Sequence, residues 1–370
     1  MATAQDTKEK TSNSTAQDSS KAEPPAPLAA ATAELDCLFV LVNSAFSTIK
    51  SQCISDGRLD GELLEAWQLC SYELAFCVAE ISAATSLNTY AAQVADDGLT
   101  RRVSLCFSAE IIQAVLQRLI SRSTELQIDR QSLFDVFNKI EVKQLLDGFL
   151  NSVSLAAIGK EICQREIQRL PSILDQEIEL VRETFLRFSN DVVMPLAEAI
   201  HREDTDIPDA ILKPAAELGC FGTCIPERFG GLQPDDRPDS LGMIVVTEEL
   251  SRGSLGAAGS LITRPEIAAR ALLNGGTDAQ QQKWLPRLAS GEILCAISIT
   301  EPNTGSDVAA VALKATPTDG GWLLNGSKTW CTFAGRSELI VALARTHPDR
   351  SLGYKGLSMF LIEKPAYAGH

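Results

Sequence analysis

From Leu35 to Leu170 the chain carries no proline and only five glycines, which commits this stretch to helices. Proline removes a helical hydrogen bond and interior glycine costs about 1 kcal/mol, so long helices need both to be scarce. The apolar spacing agrees. Leu35, Leu38, Val42, Phe46, Ile49 and Cys53 step by three and four, as do Leu63, Trp67, Cys70, Leu74, Cys77 and Ile81. Leu99, Val103, Phe107, Ile111, Val115 and Leu119 repeat the pattern, and helices are expected over Phe134–Ile140 and Leu145–Ile158. Such stripes bury against one another as a bundle. The stretch carries no recognisable chemistry, so it reads as a packing or oligomerisation module.

Pro171 closes that region and is expected to open a helix with the apolar face Leu174, Ile178, Val181, Phe185, Phe188 and Val192, kinked or ended by Pro195. Ile211–Leu218 stops at Gly219, a helix-ending residue. A loop follows at Phe229-Gly230-Gly231 and Gln233–Asp239, then helices over Leu241–Ser251, Pro265–Asn274 and Ala279–Ala289. Residues 171–292 therefore form a second helical unit. At Ile293 the texture changes: Ile293–Thr300, Ala312–Thr316, Leu339–Arg345 and Leu357–Ile362 read as strands. Asp319-Gly320-Gly321 and Asn325-Gly326 are turn signals, which together predict an antiparallel sheet closing into a small barrel over 293–370. The fold class expected is thus mostly α with a C-terminal β segment.

Residues 1–34 are rich in Ala, Ser, Thr and Gln, with a proline knot at Pro24–Pro27 and no aromatic residue. They bury too little apolar surface to offset ordering, so a disordered tail is expected, with neither a secretory nor a transit signal. No run approaches the roughly 18 consecutive apolar residues of a membrane span, so none is expected. With 33 Lys+Arg against 48 Asp+Glu the net charge is −15, which repels phosphate backbones and excludes nucleic acid as the main partner. Ten cysteines in 370 residues are too dilute for a disulfide scaffold and imply a reducing, cytoplasmic location. Cys220 and Cys224 lack a second pair at zinc-ligand spacing, and His201, His347 and His370 form no cluster, so no metal is expected and buried packing is the reading for the pair.

Two segments carry chemistry. In Ile297-Ser298-Ile299-Thr300-Glu301-Pro302-Asn303-Thr304-Gly305-Ser306-Asp307 a strand runs into a loop of hydroxyls. Pro302 pins φ there, and Gly305 allows close backbone approach to an anionic or carbonyl-rich group. The bland alternative is that Ser306 or Asp307 merely caps a turn. In Lys328-Thr329-Trp330-Cys331-Thr332, read as the far arm of a hairpin, Trp330 and Thr332 share one face. A flat ring beside a hydroxyl suits a planar heteroaromatic cofactor.

Together these segments resemble the acyl-CoA dehydrogenase family. The resemblance runs in order from the proline-punctuated helix at 180–196 through Leu218-Gly219, Pro226-Glu227-Arg228-Phe229-Gly230-Gly231 and Thr247-Glu248-Glu249-Leu250-Ser251-Arg252. It continues through Gln282-Lys283-Trp284-Leu285-Pro286, Ser290-Gly291-Glu292, the Thr-Glu-Pro loop with Gly305-Ser306-Asp307, and Asn325-Gly326-Ser327-Lys328. The helical extension, Gly259–Ala268 and Ser351–Phe360 are similar to members acting on a branched dicarboxylic monothioester.

The resemblance implies FAD-dependent α,β-dehydrogenation of an acyl-CoA, a carboxylate taking the α-proton while hydride leaves for flavin N5. It implies electron transfer to an electron-transfer flavoprotein and a homo-oligomeric full-length protein. Carried over to this chain, Ile297, Ile299 and Thr300 meet the flavin ring, and Trp330, Cys331 and Thr332 lie against it. Gly305 and Ser306 face FAD phosphates or the CoA pantetheine, Ser306 being the substrate contact. The family's catalytic glutamate lies in a C-terminal helical domain after the sheet, so no catalytic residue is expected before His370. Glu248, Glu249 and Glu301 are not promoted to that role, the first two reading as a solvated or capping face. The chain is therefore expected to be a truncated, inactive form of the enzyme. The alternative is a short non-catalytic paralogue acting as an interaction or scaffold protein, and a weaker third reading is an oxidase-like or monooxygenase-like relative.

Overall fold

Alanine-rich and leucine-rich sequence starts the first helix earlier than the tail reading allows. The computed structural model describes residues 26–94, 97–165 and 169–367, and in it α1 spans Ala26–Gln52. Leu28 and Ala31 are buried, continuing the Leu35, Leu38 and Val42 stripe by one turn. Residues 26–34 are thus helical: good helix formers with an apolar face to bury do not stay unfolded. The rest of the predicted tail lies outside the described residues.

By contact the chain divides into two units, Met1–Ile173 and Leu174–His370. In the first, α1 is followed by a short ribbon, β1 (Ile54–Ser55) and β2 (Arg58–Leu59), and by α2 (Gly61–Ala66), α3 (Gln68–Gln93) and α4 (Gly98–Ser121). Then come α5 (Arg130–Asn138), α6 (Ile140–Phe149) and α7 (Ser152–Gln164). The expected helix over 145–158 is broken because Asn151 turns the chain and caps α7, its side chain accepting from the Val153 and Ser154 amides at 3.0 and 2.9 Å. Leu74, Cys77 and Ile81 pack with Leu38, Val42, Ile112 and Val115 in one core. Within it Asn88 Oδ1 accepts from Ser104 at 2.6 Å and Ser108 at 3.0 Å. Contrary to expectation, Pro27–Gln52 and Gly98–Ser121 are long and apolar enough to cross a membrane by length and composition. Alanine and scattered leucine make them so without a continuous apolar run, and their apolar stripes belong to this buried core.

The second unit begins at α8 (Gln176–Phe188), capped by Asp175 rather than opened by Pro171. A π turn at Ser189–Val193 absorbs the amide missing at Pro195, and α9 (Met194–Arg202) continues the helix beyond it. α10 (Asp209–Glu217) ends at Gly219 with φ +75°. The chain then turns through Gly231, where a Cβ would fall 1.9 Å from the Ile225 carbonyl oxygen, so only glycine fits. α11 (Ser240–Ser254) runs into a second π turn, Leu255–Gly259, before α12 (Thr263–Gly275) and α13 (Asp278–Ala289). A reciprocal Thr277–Gln280 capping box starts α13.

Five strands follow: β3 (Cys295–Ser298), β4 (Lys314–Thr318), β5 (Gly321–Asn325), β6 (Leu339–Arg345) and β7 (Leu357–Glu363). The class is as expected, mostly α with a C-terminal β segment, but the pairing differs. β6 runs parallel to β3 and, at Arg345, to β4, while β4–β5 and β6–β7 are antiparallel. The long excursions 299–313 and 326–338 carry the chain across before it re-enters the sheet, which permits parallel neighbours that short hairpins do not. Among the described residues the sheet forms no closed barrel. Leu272, Trp284 and Leu285 pack on Cys295, Leu339 and Val341, and Arg336 donates to Asp209 at 2.9 Å, so helices and sheet share one core.

Candidate functional site

The end of β3 and the segment after β5 are brought together by their main chains. The Thr329 amide donates to the Thr300 carbonyl at 2.9 Å, and Lys328 Nζ donates to the Ile299 carbonyl at 2.7 Å. The two stretches singled out in the sequence are therefore neighbours. Ile297 sits half-buried on β3 opposite Val341, and Ile299 and Thr300 follow just past the strand end.

The second stretch is not a strand. Gly326 leaves β5 with φ +146°, and its missing Cβ would meet Leu313 at 2.8 Å. The chain then pairs with Thr300 instead of extending the hairpin, so strand alternation does not place Trp330 and Thr332. Trp330 adopts φ +58° and Phe333 φ +65°, both in the left-handed region that costs bulky residues roughly 1–2 kcal/mol. Thr332 opens a turn whose amide bonds back to the Trp330 carbonyl at 3.2 Å. The Trp330 ring is 85% exposed. A strained backbone holding a large aromatic in the open is the local signature of a ligand platform. An exposed indole two residues from Thr332 offers a stacking surface for a planar heteroaromatic group.

Glu301 holds this loop rather than reacting. Its carboxylate accepts from the Ala312 and Leu313 amides at 2.8 and 2.7 Å and pairs with Lys328 at 3.0 Å. Burial pushes its carboxyl pKa up, but those three donors outweigh burial and hold it below the ordinary range. Beyond the tight Glu301–Thr304 bridge, Gly305 and Ser306 are exposed, and a Cβ at Gly305 would meet nothing within 4 Å. Among the described residues no hydrogen bond joins either of them to Trp330.

Cys331 is half-buried. Burial raises its pKa, offset in part by the Ser298 hydroxyl and the charge of Arg264. Arg264 was not singled out in the sequence, where it reads as one polar residue in an apolar helix. It is only 8% exposed, its guanidinium stacks 4.8 Å from the Phe333 ring, and Nη2 donates to Ser260 at 3.2 Å. Among the described residues no carboxylate pairs with it, and burial lowers its pKa. An unpaired buried cation is costly, so this position suits an incoming anion.

The cysteine pair and Glu249 are settled by burial. Cys220, Cys224 and Cys295 are buried, and burial pushes each thiol up to about 12, so they pack as inert hydrophobes. Among the described residues no group of His, Cys, Asp and Glu could hold a metal. Glu249 is buried, not solvated: it pairs with Arg252 at 3.0 Å, which reaches Asn190 at 2.8 Å and ties α11 to the first π turn. The i+3 spacing to Arg252 was the available signal for this pairing.

Residues 175–292 match the family description "Acyl-CoA dehydrogenase, N-terminal domain" and residues 296–369 match "Acyl-CoA dehydrogenase, middle domain". Among curated proteins the chain is 34% identical to the (2S)-methylsuccinyl-CoA dehydrogenase of Cereibacter sphaeroides over 338 residues, 90% of this chain and 60% of that protein. It is 36% identical to the glutaryl-CoA dehydrogenase of Desulfococcus multivorans over 196 residues, 53% of this chain and 49% of that protein. A solved glutaryl-coenzyme A dehydrogenase–glutaryl-CoA complex superposes with a TM-score of 0.47 and 34% identity, covering 52% of this chain and 48% of that one. The chain thus spans 48–60% of the length of these relatives, and through residues 175–369 it belongs to the acyl-CoA dehydrogenase family.

Proposed function

We propose that this protein is an FAD-dependent dehydrogenase that removes hydrogen from the α and β carbons of a CoA thioester. The observation that carries the reading is the exposed Trp330 ring, held in a left-handed backbone beside the end of β3. Trp330 would cover one face of the flavin, with Thr300, Cys331, Thr332 and the main chain of Ile297 and Ile299 along its edge. Gly305 and Ser306, exposed on the loop beyond, would meet the phosphates or pantetheine arm. When bound, FAD supplies the hydride acceptor. The chain's own task is to hold the thioester in register and keep water from the reacting carbons, which accounts for much of such a rate.

The proposed substrate is methylsuccinyl-CoA and the product mesaconyl-CoA. Arg264, a buried guanidinium with no carboxylate partner among the described residues, would receive the distal carboxylate of a dicarboxylic acyl group. The likeness to the methylsuccinyl-CoA enzyme extends through the helical first unit and supports the same choice. Electrons would pass to an electron-transfer flavoprotein, and the protein would work as a homo-oligomer in the cytoplasm.

No carboxylate of this chain is assigned as the base. Glu301 and Glu249 are consumed by their partners, and the base is proposed to come from the C-terminal helical domain the family resemblance implies. Residues 1–370 alone would then bind without turning over. The test is anaerobic flavin bleaching by methylsuccinyl-CoA in a protein extended through that domain. Bleaching supports the proposal; an unchanged yellow spectrum with several acyl-CoAs refutes it, and a colourless soluble product favours the scaffold reading.

A further inference from the structure

α3 is apolar on two faces. Cys70, Leu74, Cys77, Ile81 and Ala84 are buried in the core of the first unit. A second stripe, Leu69, Tyr72, Phe76, Ala79, Ala83 and Ser86, steps by three and four along the outside, and all six residues are exposed. Leu69 is 63% exposed, Tyr72 57% and Phe76 40%, so the stripe lies open to solvent. A helix that is apolar all round is ordinarily covered all round. The outer spacing is that of a coiled-coil seam, which repeats every seven residues and packs against another helix.

Charge and shape both say what covers it. α3 carries only two charged side chains, Glu73 and Glu80, and Arg118 of α4 holds them at 2.6 and 3.2 Å. On a chain of net charge −15, this nearly neutral face is where a second copy can approach without strong repulsion. The bulky Leu69, Tyr72 and Phe76 fill the N-terminal half of the stripe, while Ala79, Ala83 and Ser86 leave the C-terminal half shallow. Turned antiparallel about a two-fold axis between Cys77 and Val78, Phe76 falls on the partner's Ala79, Tyr72 on the partner's Ala83 and Leu69 on the partner's Ser86. Large then meets small in every layer, and the two-fold makes each contact twice. A parallel pair would instead stack Phe76 on itself and leave the alanine half empty.

We infer that the outer stripe of α3 is a self-association surface, on which a second copy of this chain lays its own α3 antiparallel. With 26 residues, α3 is about 39 Å long and offers a flat footprint of about 400 Å² per copy. Side-chain relief raises the pair toward the roughly 1,000 Å² at which specific interfaces begin, so the dimer is reversible and micromolar, not obligate. This interface lies wholly within the helical extension and is independent of the dehydrogenase reading above.

The test is sedimentation velocity of the 370-residue chain from low to high micromolar concentration, alongside Ala83→Glu and the combined Tyr72→Lys/Ala83→Glu. Both side chains are exposed on a helix, so the variants should keep their fold, which circular dichroism checks. A concentration-dependent dimer is expected. Ala83→Glu, which sets a charge against the partner's Tyr72, should weaken it roughly tenfold or more. The combined variant should regain it, because opposite charges then face each other twice. A chain that stays monomeric throughout overturns the inference, as does a dimer that Ala83→Glu leaves intact or that the combined variant fails to restore. A monomer that floats with phosphatidylcholine vesicles overturns it in favour of a membrane surface. Flavin bleaching is measured separately and decides the dehydrogenase reading alone.

Discussion

Lys328 Nζ lies 3.0 Å from Glu301 Oε1 and 2.7 Å from the Ile299 carbonyl oxygen, closing the loop between them with one buried ammonium group. Both side chains are about nine-tenths shielded, with 9% exposure each. Removing one partner of a buried pair leaves the other uncompensated, at roughly 3–5 kcal/mol. Lys328→Met should therefore lose stability on that scale in urea unfolding, and adding Glu301→Gln should restore part of it. A loss below about 1 kcal/mol, typical of an exposed pair, would contradict this clamp. Because Glu301 titrates below its unfolded value in the fold, its contribution is present above the unfolded pKa and fades as pH falls through the folded one. Glu301→Gln should flatten the acid side of the stability profile.

Trp330 separates strain from function. With φ +58° and an exposed ring, Trp330→Gly removes little burial and relieves backbone strain of about 1 kcal/mol. Thermal unfolding should show equal or higher stability, partly offset by the added freedom of glycine in the unfolded chain. Marked destabilisation would mean that the ring is structural.

Arg264→Met should likewise leave stability unchanged or raised, since it replaces an unpaired buried cation with an apolar side chain of similar length. In the extended enzyme it should lower kcat/KM for dicarboxylic acyl-CoAs at least tenfold and spare unbranched monocarboxylic ones. Equal losses for both substrate classes would sink the carboxylate role.

Thiol chemistry checks the packing. Cys37 and Cys163 are exposed, whereas Cys220, Cys224 and Cys295 are buried with thiols pushed up to about 12. A thiol reagent at neutral pH should modify the first two quickly and the other three only on unfolding. Rapid loss of all five signals in the native chain would contradict the buried cores.

The helices were legible because their stripes repeat: Leu35 to Cys53 and Leu174 to Phe188 each describe one face that had to be buried. The breaks were less so, since Asn151 and Asp175 act through side-chain caps that periodicity does not register. In the sheet, Asn325-Gly326 reads locally as a hairpin, yet the register is settled by the distant Thr300 carbonyl. For the same reason the strand alternation that put Trp330 and Thr332 on one face is not the rule that places them. Arg264 stayed hidden because its meaning lies in what does not surround it.

The end of β3 and the turn at Trp330 are proposed to make a seat for an isoalloxazine ring. The direct measurement is fluorescence titration of FAD into the 370-residue chain, following both flavin and tryptophan emission. Saturable quenching of both signals is expected, abolished in Trp330→Gly with the fold retained by circular dichroism. Absence of quenching, or equal quenching in the variant, would contradict it.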